Sequence, residues 1–511
     1  MQLINKKLYR YIHGTDITSY QSDELIKSSR SLRVLLIFPP ADNAVRALYT
    51  FEENEDTSIG IKPPLGVMYL ASYLKKHTNH EVKVIDCQVD HLNEKEIEKI
   101  IREFNPHVVG ISAWTDFWYD AYRCIQITKK VNPKIHVTVG GPHVGIFGEE
   151  TLKYSGCDSV IVGDGEIPLM WLTNTIANNA KFVDLPGIHK QETGYRRGLD
   201  EYFILTNLDI LPFPDRCVIP LKKYFSAISK TSYVTTMITS RGCPFHCIYC
   251  KLNFQKTIAR SAENVVAEFE EIHNMGIHEV EIYDDTFSFS KKRVLEICQG
   301  IISKRLNIQW AIRDRVSTAD EEMINWLARA GCKRIHYGIE SGLDKTLKRI
   351  RKNITVEQAI NAVSLAKKHH IEVLTYFMLG LPGETMEDMQ NSIQFAKSLN
   401  PDYSTFSVAV PYAGTEMYQQ GLANGIIPVD YWLDYAKNPT PKFEVPYFWE
   451  EYLSKQELKQ IRDEATRTFY FRPKYILHQT LKSKNPAEIF RKARMAWGLV
   501  KATIATKREQ K

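Results

Sequence analysis

Between residues 31 and 180, short apolar runs rich in β-branched residues alternate with stretches whose apolar positions recur every three or four residues. The runs fall at 34–38, 82–86, 108–112, 137–139 and 159–162, and the helical stretches at 65–76, 93–104, 119–130 and 149–154. Strands that are apolar along their whole length, separated by amphipathic helices, predict a parallel sheet covered on both faces. Such a doubly wound α/β domain holds its ligands at the carboxyl ends of its strands. The rhythm breaks over 181–232, where Gly187, Gly194, Gly198 and Leu211-Pro212-Phe213-Pro214-Asp215 predict a linker. A second alternation fills 233–425, with strands expected at 234–239, 279–283, 308–312, 334–338, 373–379 and 404–409. Thr355 followed by Gln358 has the spacing of a capping box and marks one helix start. Six β/α units in one block predict a partial (β/α)6 barrel with its chemistry at the carboxyl ends of the strands. The remainder, 426–511, reads as a helical C-terminal region, with helices over 454–471 and 486–504.

Composition adds little to the fold and something to the setting. A chain of 511 residues exceeds one core. It lacks the apolar stretch of a signal peptide at its start and any run long enough to span a bilayer. Nine cysteines, most of them solitary in apolar segments, fit a reducing compartment and a cytoplasmic location. The net charge of +6 is uneven, because Leu453–Lys511 alone carries 15 Lys and Arg against 5 Asp and Glu. Aromatics and cations mix over 469–477, and 490–500 reads as a basic amphipathic helix. Such helices lie in the headgroup layer of anionic membranes or pack as a solvated basic face, so peripheral contact with the inner membrane face is one expectation. No nucleic-acid-binding module accompanies the charge, and no nucleic-acid partner is expected.

The decisive chemistry lies in Thr239-Ser240-Arg241-Gly242-Cys243-Pro244-Phe245-His246-Cys247-Ile248-Tyr249-Cys250. It places C-x3-C-x2-C directly after the first strand of the second block. Three thiolates in one tight loop can each take a corner iron of a [4Fe–4S] cubane, leaving one iron open to a small molecule. A structural zinc site wants four ligands, and only His246 lies nearby as a fourth.

These residues resemble the radical S-adenosylmethionine (SAM) superfamily. The resemblance extends to Glu281-Ile282-Tyr283-Asp284-Asp285-Thr286-Phe287, Trp310-Ala311-Ile312-Arg313, Tyr337-Gly338-Ile339-Glu340-Ser341-Gly342 and Phe377-Met378-Leu379-Gly380-Leu381-Pro382-Gly383-Glu384-Thr385. It implies that Cys243, Cys247 and Cys250 hold the cluster and that SAM chelates the open iron. It further implies Tyr249 near the adenine, Glu340 on the ribose, Arg313 and Ser341 at the methionine end, and Asp285 and Gly380 in the same cofactor site. Other readings stay open: Asp284 and Asp285 could shape a loop, and Gly380 and Gly383 could serve a strand-to-helix turn.

In the first block, Gly140-Gly141-Pro142-His143 and Gly163-Asp164-Gly165-Glu166 each follow a strand, and glycine there lets a bulky ligand approach the backbone. With Pro63-Pro64-Leu65-Gly66 and Ser112, these loops resemble the cobalamin-binding domain fused to many radical enzymes. The resemblance implies cobalamin contacts at Pro64, Leu65, Gly66, Ser112, Gly140, Gly141, Pro142, His143, Gly163, Gly165 and Glu166. The D-x-H-x-x-G of cobalamin mutases is replaced by Pro39-Pro40-Ala41-Asp42-Asn43, so His143 is expected to be a loop residue rather than a lower ligand to cobalt.

The closest resemblance is to the group holding the carbon and phosphorus methylases and the anaerobic magnesium-protoporphyrin ester cyclase. It implies a 5′-deoxyadenosyl radical and cobalamin-dependent methylation of an unactivated carbon of a small molecule or lipid, with a one-electron reductant such as flavodoxin or ferredoxin. Radical cyclisation or carbon–carbon joining on a lipid or tetrapyrrole is the rival. An iron–sulfur sensor or electron carrier is the non-enzymatic one. No side chain stands out as catalytic.

Overall fold

The structure is a computed structural model that describes residues 10–12, 28, 30–45, 60–180, 185–198, 201–226, 228, 229, 231, 234–251 and 256–482. The described residues fall into two compact units, one drawn from 1–46, 63–221 and 430–444, the other from 47–62, 222–429 and 445–511.

In the first unit, β1 (Arg33–Phe38), β2 (Glu81–Asp86), β3 (Val108–Ser112), β4 (His136–Gly140) and β5 (Ser159–Ile161) run parallel in the order 2-1-3-4-5. Val34, Leu35, Leu36 and Ile37 of β1 are all fully buried, as a strand covered on both faces requires. The covering helices are α1 (Leu65–His77), α2 (Glu94–Phe104), α3 (Trp118–Val131), α4 (Val144–Tyr154) and α5 (Glu166–Ala177). α2 begins where it does because Asn93 and Glu96 form a reciprocal capping box. The sheet order reverses between β1 and β3, which opens a crevice at the carboxyl edge.

Two expectations change here. Residues 185–198 and 201–221 are no free linker. β6 (Ile188–Lys190) adds an antiparallel sixth strand beside β5, and the Val162 amide donates to the Gly187 carbonyl at 2.8 Å. Part of the C-terminal region also returns to this unit. The helical segment Tyr431–Lys437 accepts the Trp118 indole N–H at the Ala436 carbonyl (3.1 Å), and the Tyr119 amide donates to the Tyr435 hydroxyl (3.2 Å).

In the second unit, β7 (Thr235–Met237), β8 (Glu279–Ile282), β9 (Gln309–Asp314), β10 (Cys332–Glu340), β11 (Glu372–Leu379) and β12 (Tyr403–Val408) are parallel and adjacent in sequence order. Between them lie α6 (Ala262–Asn274), α7 (Lys291–Ser303), α8 (Glu321–Arg329), α9 (Val356–Lys368) and α10 (Met386–Leu399). This is the expected partial barrel, and Thr355 and Gln358 do cap α9. α11 (Lys455–Tyr470) rests on the last strands, with the Tyr470 hydroxyl donating to the Ser404 carbonyl at 2.8 Å. A helix also spans Pro473–Lys482, while the one expected over 486–504 lies outside the described residues. Among the described residues, no helix is long and apolar enough to cross a membrane.

The exit of β7 is held by a buried ion pair. Arg260 (4% exposed) bonds to the fully buried Glu268 and donates to the Ile238 carbonyl at 2.9 Å. Removing one partner of such a pair leaves the other uncompensated. Glu268→Ala is expected to destabilise the second unit by about 3–5 kcal/mol, read as an earlier transition in urea titration of the purified protein.

Candidate active site

The cysteine loop leaves the carboxyl end of β7, where Asp284 pins its first residues. The Thr239 amide (2.6 Å) and Ser240 amide (3.1 Å) donate to Asp284 Oδ1, and the Thr239 and Ser240 hydroxyls donate to Oδ2. Gly242 turns the chain at φ +83°. Cys243 and Cys247 are half-buried, Cys250 is exposed, and none is in a disulfide. Cys250 reaches the surface, yet the packing around it, then Cys247, Asp285 and Cys243, push its thiol up to about 12. The neighbouring cysteines thus oppose ionisation of Cys250, and a cationic iron core would reverse that. Among the described residues, no three His, Cys, Asp or Glu side chains gather as ligands to a single metal ion. Three soft donors on one loop fit a cluster that offers each thiol its own iron.

Beside the loop, Glu340 ends β10 at φ +72°, after a register break between Gly338 and Glu340. A left-handed conformation in a non-glycine strand residue is strained and marks functional sites. Its carboxylate accepts from Lys352 Nζ (2.8 Å) and from the Tyr249 hydroxyl (3.2 Å), so two residues of the expected SAM site are brought together. Asp285 is exposed next to the loop, where the Gly242 amide donates to it.

The inner faces of the strands carry charge. Glu281 accepts from Lys62 Nζ (3.0 Å) and an Arg334 N–H (3.3 Å). Arg334 also donates to His336 (3.0 Å), which meets the Tyr376 hydroxyl at 2.9 Å. Arg313 stacks on the Tyr283 ring, its guanidinium 3.5 Å from the centroid, and donates to the Ile282 carbonyl at 3.2 Å. Burial pushes the Glu281 carboxyl up, but Lys62 and Arg334, helped by His336 and Arg313, outweigh it and hold the group well below the usual carboxylate range.

Two expected SAM contacts sit differently. The Ser341 side chain is fully buried, its hydroxyl donating to Glu384 (3.1 Å) and meeting the Ser392 hydroxyl (3.1 Å). A ligand there would meet backbone, not the hydroxyl. Burial pushes Glu384 up to about 7, against the amide of Leu381 and the Ser341 hydroxyl. Gly380 has φ +77°, and a Cβ there would stand 2.6 Å from Leu458 of α11, so turn and packing already require glycine.

In the first unit, the expected cobalamin residues converge on the carboxyl edge. Pro64, Leu65 and Gly66 open α1, Ser112 ends β3, Gly140-Gly141-Pro142 ends β4, and Gly163 to Glu166 leads into α5. Pro64, Leu65 and Glu166 are buried, whereas Gly66, Gly141 and Pro142 are exposed and Ser112, Gly140, Gly163 and Gly165 half-exposed. A Cβ on Gly66 would meet nothing within 4 Å, so the backbone there is open to approach. His143 is corrected in detail: its ring is fully buried, stacked on Trp118 at 4.1 Å between centroids, with Nδ1 3.1 Å from the Thr115 hydroxyl. Burial holds it neutral, pushing it down to about 3. The ring serves the core and offers nothing to the open edge.

Asp284 shapes a loop, one of the two roles open to it in the sequence, whereas Arg315 and Lys352 carry no signal there. Arg315 follows a strand end and Lys352 follows the helix Asp344–Arg349, each without a motif around it.

The fold and loop together define a doubly wound cofactor-binding domain joined to a partial barrel that carries a three-cysteine loop. Residues 237–396 match the family described as the Radical SAM superfamily, and 57–172 match the B12 binding domain. An uncharacterized methyltransferase of Pyrococcus horikoshii is 34% identical, over 87% of this chain and 94% of that protein. The anaerobic magnesium-protoporphyrin IX monomethyl ester cyclase of Rubrivivax gelatinosus is 28% identical over 70% of this chain and 66% of its own. Cytidylyl-2-hydroxyethylphosphonate methyltransferase of Streptomyces wedmorensis is 26% identical over 80% and 86%. Among solved structures, the radical SAM methyltransferase TsrM of Kitasatospora setae superposes with a TM-score of 0.62 at 18% identity, over 78% of this chain and 79% of that one. This likeness is one of fold. The chain belongs to the radical SAM superfamily, among the members that carry a B12 binding domain. It is an enzyme whose cofactors are a [4Fe–4S] cluster, SAM and cobalamin.

Because the folded Glu281 carboxyl lies below its ordinary value, the pair contributes stability above about pH 4.3 that is lost as pH falls further. Glu281→Gln is expected to cost about 3 kcal/mol at pH 7, with the gap to wild type closing below pH 4 in melting curves taken across pH.

Proposed function

We propose that this enzyme methylates an unactivated carbon of a small molecule or lipid, with Cys243, Cys247 and Cys250 holding the cluster. The observation that carries the reading is the pairing of a three-thiol loop at a barrel mouth with a B12 binding domain in a chain 34% identical to a methyltransferase. When bound, the reduced cluster and SAM supply an adenosyl radical that takes a hydrogen from carbon, and cobalamin supplies the methyl group. The protein's own task is placement. Tyr249 and Glu340 would meet the adenosine half of SAM, with Lys352 orienting the carboxylate. Arg313, stacked on Tyr283, offers a guanidinium for the methionine carboxylate. Asp285, the Ser341 backbone and the Gly380 turn complete that wall. A one-electron donor of the flavodoxin or ferredoxin class would serve the exposed side near Cys250. The likeness to the Rubrivivax cyclase favours cyclisation as the second reading. A peripheral membrane contact draws support from Ile476, Leu477 and Leu481, which are exposed on the last described helix.

Reconstituted anaerobically, the protein is expected to bind four irons and to release 5′-deoxyadenosine from SAM. Each of Cys243→Ala, Cys247→Ala and Cys250→Ala should abolish the product, because each thiol serves a separate iron. Undiminished cleavage in any of the three would overturn the ligand assignment. A substrate recovered with one added methyl supports methylation, whereas a ring closed without mass gain from methyl supports the cyclase reading.

Hydroxocobalamin should stay with the protein through gel filtration. The bound cobalt(II) form should show no hyperfine splitting from a protein imidazole, since the His143 ring is enclosed. An imidazole signal that vanishes in His143→Ala would contradict this placement.

A further inference from the structure

The guanidinium of Arg315 is a fixed cation set against the cysteine loop. Arg315 follows the last residue of β9 and is 5% exposed. One N–H lies 3.9 Å from the Cys247 sulfur, within reach of an N–H···S contact. The plane rests on the Phe245 ring, 3.6 Å from its centroid, and another N–H donates to the Lys352 carbonyl. Its Nε is buried with no hydrogen-bond partner among the described residues. No carboxylate among the described residues forms an ion pair with it; Asp314 accepts only its backbone amide. Stacking below and a carbonyl at the side thus hold an uncompensated charge beside a thiol. Burying a cation without a counter-ion is costly, so the fold spends stability on it.

We propose that Arg315 is a positioning residue that raises the reduction potential of the cluster through Cys247. The inference rests on the reading that Cys243, Cys247 and Cys250 hold a [4Fe–4S] cluster. Reduction adds one electron from a low-potential carrier to the [4Fe–4S]2+ core, giving [4Fe–4S]1+, and makes or breaks no bond. With three thiolates the net charge passes from −1 to −2. A nearby cation stabilises the more negative state more, and a hydrogen bond to sulfur acts in the same direction. The stacking on Phe245 matters because a mobile side chain would be screened by water instead.

The test uses full-length reconstituted protein, with iron and sulfide assayed to establish equal cluster content. Titration of the reduced-cluster EPR signal is expected to show Arg315→Met about tenfold less reduced at a given potential, which is about 59 mV for one electron. Arg315→Lys should recover at least half of that shift, since charge remains while geometry is lost. A wild-type measurement needs no variant: with 15N-arginine incorporated and SAM absent, pulsed EPR of the reduced cluster should show nitrogen coupled to the electron spin. Midpoints of wild type and Arg315→Met that coincide, or no 15N coupling, would overturn the proposal. If wild type forms no EPR-active cluster at all, the ligand assignment fails rather than this inference.

Discussion

Everything at the barrel mouth hangs from one enclosed carboxylate. Asp284 is 1% exposed, and burial by itself would drive it toward the neutral acid. Two amides and two hydroxyls of Thr239 and Ser240 converge on it, with Arg293 adding a favourable charge. Arg293 in turn donates to the carbonyls of Thr239 and Arg260 at 2.9 Å each, and Arg260 reaches Ile238 and Glu268. A charge in a low-dielectric interior tolerates no half-made network, so these contacts stand or fall together. The consequence is geometric. The chain leaves β7 from two residues whose backbone and side chains are both fixed, and Cys243 comes only three residues after Ser240.

From that anchored start, the electrostatics of the site follow a simple division. Arg315 and Lys352 flank the cysteine loop and the Glu340 corner, and Lys62, Arg313 and Arg334 face Glu281 farther along the strands. Cations outnumber the carboxylates they meet. Three thiolates and the carboxylate of SAM are the negative groups such a surplus accommodates, and attraction is stronger for side chains as buried as these. Glu340 needs Lys352 for the same reason that Asp284 needs its amides: an enclosed carboxyl group is costly unless its oxygens find hydrogen-bond partners.

Much of this was legible beforehand, for reasons that differ by element. The first parallel sheet announced itself because buried strands such as β1 are apolar nearly throughout, the second through its repeated β/α units, and the cysteine loop because its spacing has few other uses. β6 escaped because three residues reading Ile-His-Lys carry no strand signal; pairing beside β5 makes them one. The return of Tyr431–Lys437 to the first unit depends on a tryptophan indole finding a carbonyl more than three hundred residues away, which no local pattern encodes. Arg315 and Lys352 look like ordinary surface cations in the sequence. Only in the structure does Lys352 meet Glu340 and Arg315 stack on Phe245.

The glycines draw the sharpest line between what a motif suggests and what a structure requires. Gly141 and Gly163 sit at φ +100° and +98°, with the backbones of Ala113 and Phe203 against the place a Cβ would occupy. Gly380 sits at φ +77°, with the Leu458 side chain rather than backbone against that place. Chain geometry alone demands glycine at these three positions, so their presence in ligand-like motifs carries little weight for a ligand. Gly66 is the opposite case. It lies in the first turn of α1 with open space beyond its Cα, where alanine would cost the free protein nothing and would suit a helix better. A residue that the fold does not need, at the carboxyl edge where the sheet order reverses, is better explained by something that must approach that backbone closely. Of the glycines expected to line the cobalamin site, Gly66 and Gly140, where a Cβ would meet nothing closer than 3.7 Å, are the ones that chain packing does not require.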